Sequence, residues 1–439
     1  MKKDIRTKVK IKKTFLHNDN WKHFKTDYLP RKVPEEMIGD IVEQVEKMLG
    51  CGDPRNGYSL YRCVGCGEEH IVGFSCKSRF CPSSGKRYVD NWVESQVDKI
   101  LEVSHRHLVF TVPEQLRGHI YWNRDLIKDM SDKVAELIQR YFDEHVKFRE
   151  YKVGVITVVH TFGRDMGFNP HVHALIAEGA LDKYHQWSKV GYFSYKYLRK
   201  AWQKVLLDIF KERFSNKQKV QNLIKYFYRK YREGFYVNAE SRMNNARGAA
   251  KYIGRYLARP AIAEYRILEY DGKKVRFWYE DHKTQKKVEL ELSAMKFIGR
   301  IIMHIPPKHF KMTRRYGLYR RGYNKRVKKI VALWKYMKRR QLRLIMQYKE
   351  TRSLSWRERM IKSFGKDPVR CKKCGKEMVL YEIWHPKYDF LYHIEHTDDR
   401  GRYIKSNNWE VDPRYERRKL ARECGNTIPF PRRQKQRVV

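Results

Sequence analysis

Three histidines, His160, His171 and His173, fall within one fourteen-residue stretch of the sequence. Pro170-His171-Val172-His173 opens an apolar run, and on a strand residues i and i+2 share a face. Both imidazoles then point one way while Val172 enters the core. His160 ends the preceding apolar run, which begins at Val153. A hairpin through Gly163 to Pro170 brings it towards the other two. Three neutral imidazoles can hold one divalent ion and leave positions open for phosphate oxygens and water. An upstream carboxylate is the alternative third ligand to His160. Tyr252 and Tyr256 stand four residues apart in an expected helix and so share a face. Beside a metal, their hydroxyls could act in turn as nucleophiles, with Lys251 and Arg255 flanking them as DNA contacts. A second pair, His105-Arg106-His107, also enters a strand. Its charged centre fits a buried strand poorly, so DNA contact or a structural role is expected there.

The eight cysteines fall into two groups rather than being scattered. In a cytoplasmic chain such spacing suggests metal rather than disulfides. The first group reads Cys51-x11-Cys63-x2-Cys66-x9-Cys76-x4-Cys81, with His70 inside it. Cys63-Val-Gly-Cys66-Gly67 is a knuckle whose two thiolates reach one tetrahedral zinc. Closure by a second pair drawn from Cys51, Cys76, Cys81 and His70 is expected. Cys371-Lys-Lys-Cys374-Gly375 repeats the knuckle. A second zinc site is expected there, completed by His385, His393, His396 or Cys424. Both ions would be structural.

The elements that must position these groups can be read from periodicity. His107–Val112 reads as a strand, as do the runs 153–160 and 171–176. Helices are expected over 124–146, 195–213, 219–232 and 244–257, with a short strand at Phe235–Val237. Asp271-Gly272 marks a hairpin between 266–270 and 275–279. Ser293 is an expected N-cap for a helix to about Met303. The block 308–349 carries Arg314-Arg315, Arg320-Arg321 and Lys328-Lys329 among apolar residues. It is expected to be helical and to contact phosphates. The boundaries expected are a basic segment 1–40, a zinc-binding domain 41–90, a catalytic domain 91–300, a basic helical segment 301–365 and a module 366–439 with a disordered basic tail.

Charge narrows the partners. Lysine and arginine total 95 against 50 acidic residues, a formal net charge of +45. Such a field favours a polyanion, and nucleic acid is the first candidate. Aromatic residues make up 14% of the chain, which suits base stacking beside backbone contact. No apolar run approaches the ~18 residues of a spanning helix, and the basic N-terminus is not followed by a signal core. A cytoplasmic protein without membrane attachment is expected.

Taken together, these motifs resemble the rolling-circle transposases of the insertion sequence 91 family. Cys63-x2-Cys66 followed by Phe74-Ser-Cys-Lys-Ser-Arg-Phe-Cys-Pro82 resembles the family's zinc-binding domain, with Ser84 where the family usually has cysteine. His107-Leu-Val-Phe-Thr-Val-Pro-Glu-Gln-Leu-Arg117 resembles the entry to its catalytic domain. His160-Thr-Phe-Gly163 and Asn169-Pro-His-Val-His173 look like its histidine–hydrophobe–histidine (HUH) motif, and Tyr252-x3-Tyr256 like its tyrosine pair. Phe297-Ile-Gly-Arg, His304-Ile-Pro-Pro-Lys-His-Phe310 and Tyr316-Gly317 resemble a further family segment. The resemblance implies an α+β fold: an HUH palm, with a mostly antiparallel central sheet flanked by helices, a small N-terminal zinc-binding domain and a basic helical C-terminal region. It implies Mg²⁺ or Mn²⁺ at the histidines and structural Zn²⁺ at the cysteines. Its implied substrate is single-stranded or hairpin DNA at transposon ends, cut through a 5′-phosphotyrosine. A bacterial, nucleoid-associated setting and self-association go with that reading. Two rivals are a plasmid replication initiator or relaxase with the same chemistry, and a non-catalytic zinc protein that binds nucleic acid.

Overall fold

The computed structural model describes residues 10–78, 80–97, 99–145, 151–189, 193–257, 261–281, 284–322, 324–339 and 354–398. Residues 1–9, Cys424 and the basic tail, on which some expectations fall, lie outside them.

The chain forms two compact units. One comprises residues 1–49 and 76–366, and the other residues 50–75 and 367–439. The second is therefore assembled from two stretches far apart in sequence, where consecutive segments were expected.

Along the chain come α1 (Lys10–Leu16), α2 (Asn20–His23), α3 (Leu29–Lys32) and α4 (Ile38–Leu49). The hairpin β1 (Tyr58–Cys63) and β2 (Glu69–Gly73) follows, then α5 (Pro82–Val97). The palm begins with β3 (His105–Thr111), α6 (Glu114–Trp122) and α7 (Leu126–His145). It continues with β4 (Lys152–Phe162), β5 (Phe168–Leu181), β6 (Trp187–Ser188), α8 (Tyr195–Arg213), α9 (Gln218–Lys230), β7 (Val237–Met243) and α10 (Ala246–Leu257). After it lie β8 (Ile267–Tyr270), β9 (Lys274–Glu280), β10 (Lys287–Ser293) and α11 (Ala294–Ile302). The described chain ends with β11 (Thr313–Gly317), α12 (Asn324–Arg339), α13 (Trp356–Phe364), β12 (Met378–His385) and β13 (Asp389–His393).

The palm sheet has the order β11-β4-β5-β3-β7, with β6 beside β5, and every pairing is antiparallel. Alternation along its strands gives two buried faces. Leu108, Phe110, Val155, Val159, Val172 and Ile176 pack with α6 to α9 on one face. Ile156, Val158, Leu175 and Ala177 pack on the other against Ala246, Ala249, Ala250 and Ile253 of α10 and Val327 and Val331 of α12. Burial on both sides explains why β4 and β5 read as continuous apolar runs. A separate sheet, β10-β9-β8, sits with α11. The fold is α+β, mixed helix and antiparallel sheet, as an HUH palm requires.

Ser293 caps α11 as expected, its Oγ accepting from Lys296 N at 3.4 Å. The basic block departs from expectation. Thr313–Gly317 is not helical but forms the edge strand β11, paired with β4 from Val158 to Gly154. Backbone pairing at a sheet edge outweighs helical spacing there, because one side of an edge strand tolerates charge. Among the described residues of the block, α12 is the helical part. Among the described residues no helix is long and apolar enough to cross a membrane.

In the second unit the strand order is β13-β12-β1-β2, again antiparallel. Its small core holds Tyr58, Leu60, Tyr381 and Trp384.

Candidate active site

Strand register builds the histidine cluster. Across β4 and β5, His160 faces His171 and Val158 faces His173. Across β3 and β5, Val109 faces His173 and Thr111 faces His171. Ligand nitrogens of His160, His171 and His173 all lie within 4.8 Å of one another. The ring centroids of His171 and His173 are 4.8 Å apart, and those of His160 and His171 5.1 Å.

His171 Nδ1 is 2.6 Å from the carbonyl oxygen of Asn169. A carbonyl only accepts, so Nδ1–H donates and the ring's lone pair sits on Nε2. Burial, then the neighbouring His171, His160 and His107, hold His173 well below the ordinary histidine range. His173 is thus neutral, the protonation state that ligates metals. The donor set fits a divalent ion.

Tyr252 reaches this cluster through His107, a residue whose charged neighbour argues against a place in the core. His107 Nε2 lies 2.8 Å from His173 Nδ1. The Tyr252 hydroxyl lies 3.2 Å from His107 Nδ1. The tyrosine ring meets the His107 ring edge-on, centroids 4.8 Å apart. Helix α10 sets this up: Asn245 Oδ1 accepts from Gly248 N at 2.7 Å at its start, and small alanines let it lie close on the sheet. Lys251 is exposed on the same helix. Arg255 and Tyr256 continue the helix, but their side chains lie outside the described residues.

The expectation for His105-Arg106-His107 is corrected in part. Both histidines are fully buried and are not surface DNA contacts. Arg106 projects to the opposite face, where Nε and Nη2 donate to Glu178 Oε1 at 3.0 and 2.8 Å. Arg242 Nε donates to the other oxygen of that buried carboxylate at 2.7 Å. Pairing removes the objection to a charge on this strand. The Tyr319 hydroxyl is hydrogen-bonded to His105 Nε2, and burial pushes His105 down to about 4. Alternation on a strand is the signal that could place His107 beside the cluster.

Arg314, Arg315, Arg320 and Arg321 all line a cleft of about 1380 Å³ that Lys99, Lys308, Lys325 and Lys328 also border. Arg320 and Arg321 are exposed, whereas Arg314 pairs with Asp132, Nε to Oδ1 3.0 Å. Arg315 is half-buried, and burial lowers its guanidinium. None of the clustered histidines lines this cleft.

The cysteines are grouped otherwise than expected. Cys63 and Cys66 face Cys371 and Cys374, not Cys76, Cys81 or His70, and the four sulfurs lie within 4.8 Å of one another. His70 sits half-buried on β2 opposite Tyr61. Cys76 and Cys81 belong to the first unit, where Cys76 Sγ is 3.4 Å from Ser84 Oγ. Cys51 belongs to the second. His385, His393 and His396 lie outside the four-sulfur group.

Comparison with known proteins agrees with this architecture. Residues 154–327 match a family model described as "Putative transposase", and residues 17–112 match one described as "Transposase zinc-binding domain" of the insertion sequence 91 type. A transposase for insertion sequence element 801 from Pseudomonas savastanoi pv. phaseolicola is 29% identical over 385 residues, covering 84% of this chain and 88% of its own. The chain is a transposase, similar over most of its length to those of the insertion sequence 91 type. The protein of Sinorhizobium fredii (strain NBRC 101917 / NGR234) named "Putative transposase y4qJ" is 25% identical to this transposase over 290 residues, 62% of this chain and 73% of its own. No solved structure matches it. The first match spans the histidine cluster and Tyr252, and the second spans His107 and the first knuckle. Cys371 and Cys374 lie beyond both.

Proposed function

We propose that this transposase nicks and rejoins single-stranded DNA at transposon ends, with Tyr252 as the first nucleophile and Tyr256 as the second. The observation that carries the reading is the hydrogen-bonded line from Tyr252 through His107 to His173. A tyrosine placed for packing alone has no need of two histidines in series beneath its hydroxyl.

A divalent ion, Mg²⁺ or Mn²⁺, held by His160, His171 and His173 would polarise the scissile phosphate and screen its charge. The residues around it carry the rest. When His173 presents Nε2 as a ligand, its Nδ1 must hold the proton and donate to His107 Nε2. His107 then holds its remaining proton on Nδ1 and donates to the Tyr252 oxygen. That oxygen is stabilised as its negative charge develops. It forms a bond to phosphorus as the bond to the 3′ oxygen breaks. The phenol proton passes to solvent, the departing 3′ oxygen takes one from solvent to become a hydroxyl, and the 5′ phosphate stays on the tyrosine. The stored ester lets a 3′ hydroxyl reverse the step without ATP. Single-stranded or hairpin DNA is the substrate, and the basic cleft beside β11 takes its backbone. Similarity to transposases favours a transposon end over a plasmid origin, and the protein works in the bacterial cytoplasm.

The test is incubation with a single-stranded oligonucleotide from the element's end and Mn²⁺, followed by a denaturing gel. Wild type should give a covalent adduct. Tyr252→Phe should reduce it sharply, and Tyr252→Phe/Tyr256→Phe should abolish it. An adduct that survives in the double variant puts the nucleophile on another residue.

A further inference from the structure

Two Cys-x2-Cys-Gly knuckles lie face to face in the second unit, although some three hundred residues separate them in sequence. Cys63 Sγ is 3.4 Å from Cys374 Sγ, and Cys66 Sγ is 3.7 Å from Cys371 Sγ. Four thiolates around zinc, with zinc–sulfur bonds of ~2.3 Å, stand ~3.8 Å apart in a tetrahedron. The observed spacing is that of a four-sulfur cage, and it is too wide for disulfides.

The backbones repeat each other. Gly67 N donates to Cys63 O at 3.0 Å, and Gly375 N donates to Cys371 O at 3.0 Å. Both glycines have positive φ, 64° and 72°, which a side chain would disfavour. Cys63 N donates to Glu68 O, and Cys371 N donates to Lys376 O. Val64 N donates to Glu377 O at 3.2 Å and ties one knuckle to the other. Cys63, Cys371 and Met378 are buried together, whereas Cys374 is exposed.

We propose that Cys63, Cys66, Cys371 and Cys374 bind one zinc ion between them, rather than each knuckle closing a site of its own. On binding, four thiols release four protons to solvent and the four sulfurs bond to Zn²⁺. The resulting cage carries two negative charges. Lys372, Lys373 and Lys376, all exposed on the second knuckle, offset them. The zinc-binding domain matched at residues 17–112 is therefore incomplete without the last part of the chain. The residues 76–366 become an insert between two halves of one metal-closed ribbon.

Zinc counting in the full-length protein separates one shared ion from two. Cys63→Ser/Cys66→Ser and Cys371→Ser/Cys374→Ser should each lose one zinc per chain relative to wild type. The fourfold variant should lose that same one and no more. A loss of two in the fourfold variant, or none on removing Cys371 and Cys374, overturns the proposal. A second measurement needs no variant. In wild type, alkylation of all four thiols should be blocked, and a rising dose of chelator should expose them together. Alkylation of Cys371 and Cys374 at a dose that leaves Cys63 and Cys66 protected would overturn it equally.

Discussion

The histidine cluster and the sulfur cluster are assembled in opposite ways. The histidines come from neighbouring strands of one sheet, and backbone register brings them together: β4 and β5 put His160 opposite His171, and β3 puts His107 next to His173. Two apolar cores hold that sheet from both faces. The sulfurs come from two loops in a unit whose described apolar clusters are small, Tyr58, Leu60, Tyr381 and Trp384 in one and Cys63, Cys371 and Met378 in the other. A site framed by a large core can lose its ion and keep its shape. A small fold leans on the metal for its stability.

The sharpest break in this comparison is donor removal. His171→Ala or His173→Ala should lower nicking by roughly a thousandfold, the scale of several kcal/mol of lost charge stabilisation, while the melting temperature and DNA affinity stay near wild type. Cys63→Ser/Cys66→Ser should do the reverse in its own unit, with the sheet β13-β12-β1-β2 exposed to protease. Wild-type nicking in both histidine variants would make that cluster structural.

A smaller effect sharpens how the palm cluster works. His107→Gln retains an amide near the position of Nε2 and can still bond to His173, but it has nothing at Nδ1 for Tyr252. Its Mn²⁺ affinity should stay within a few-fold of wild type, while the single-turnover adduct rate falls by about 10- to 100-fold, the usual cost of disturbing a group behind a metal ligand. His107→Ala should lose both. Equal loss of metal affinity in the two variants would show that His107 is only packing.

Charge is the third contrast, since the basic cleft belongs to the palm unit. Arg320→Glu/Arg321→Glu should weaken DNA binding and reduce the slope of log K against log salt by about 2, near 0.9 for each phosphate that is no longer neutralised. Arg314, already held by Asp132, should matter less. An equal effect from reversing charges in residues 1–13 would mean that the field acts diffusely.

Acid gives the gentlest separation. Burial holds His105 at about 4 and His304 at about 3. Both lie below the ordinary value of about 6.5, so as pH falls through 6.5 the unfolded chain takes up protons that the folded palm refuses. Palm stability should therefore decline from pH 6.5 to 4, by at most about 1.4 kcal/mol per pH unit for each histidine. Urea midpoints at pH 7, 5.5 and 4.5 measure it, and His105→Gln should flatten the slope.

Much of the palm is legible in the sequence because periodicity is local. The helix expected over 195–213 is α8, and the hairpin around Gly163 is the turn between β4 and β5. The histidine motif follows from strand alternation alone. His107 escapes such reading because Arg106 looks unburiable, and the partner that makes it burial-compatible, Glu178, lies 72 residues away. The edge strand at Thr313–Gly317 has the spacing of a helix because its pairing with β4 leaves no local trace. The union of the two knuckles is hidden for a similar reason. Each pattern names a pair of thiols and is silent about which other pair it meets.

The pairing of β1 with β12 also sets a clock. A ribosome adding ~5–20 residues per second reaches Cys374, 311 residues beyond Cys63, only after ~15–60 s. The palm unit's strands emerge complete within that interval, and the nascent chain acquires its histidine cluster first. Meanwhile β1 waits with β2 on one side and an unpaired edge on the other, a template for the wrong neighbour. A message cut short before β12 would leave that edge open for good, so premature termination should yield an aggregating chain rather than a working fragment.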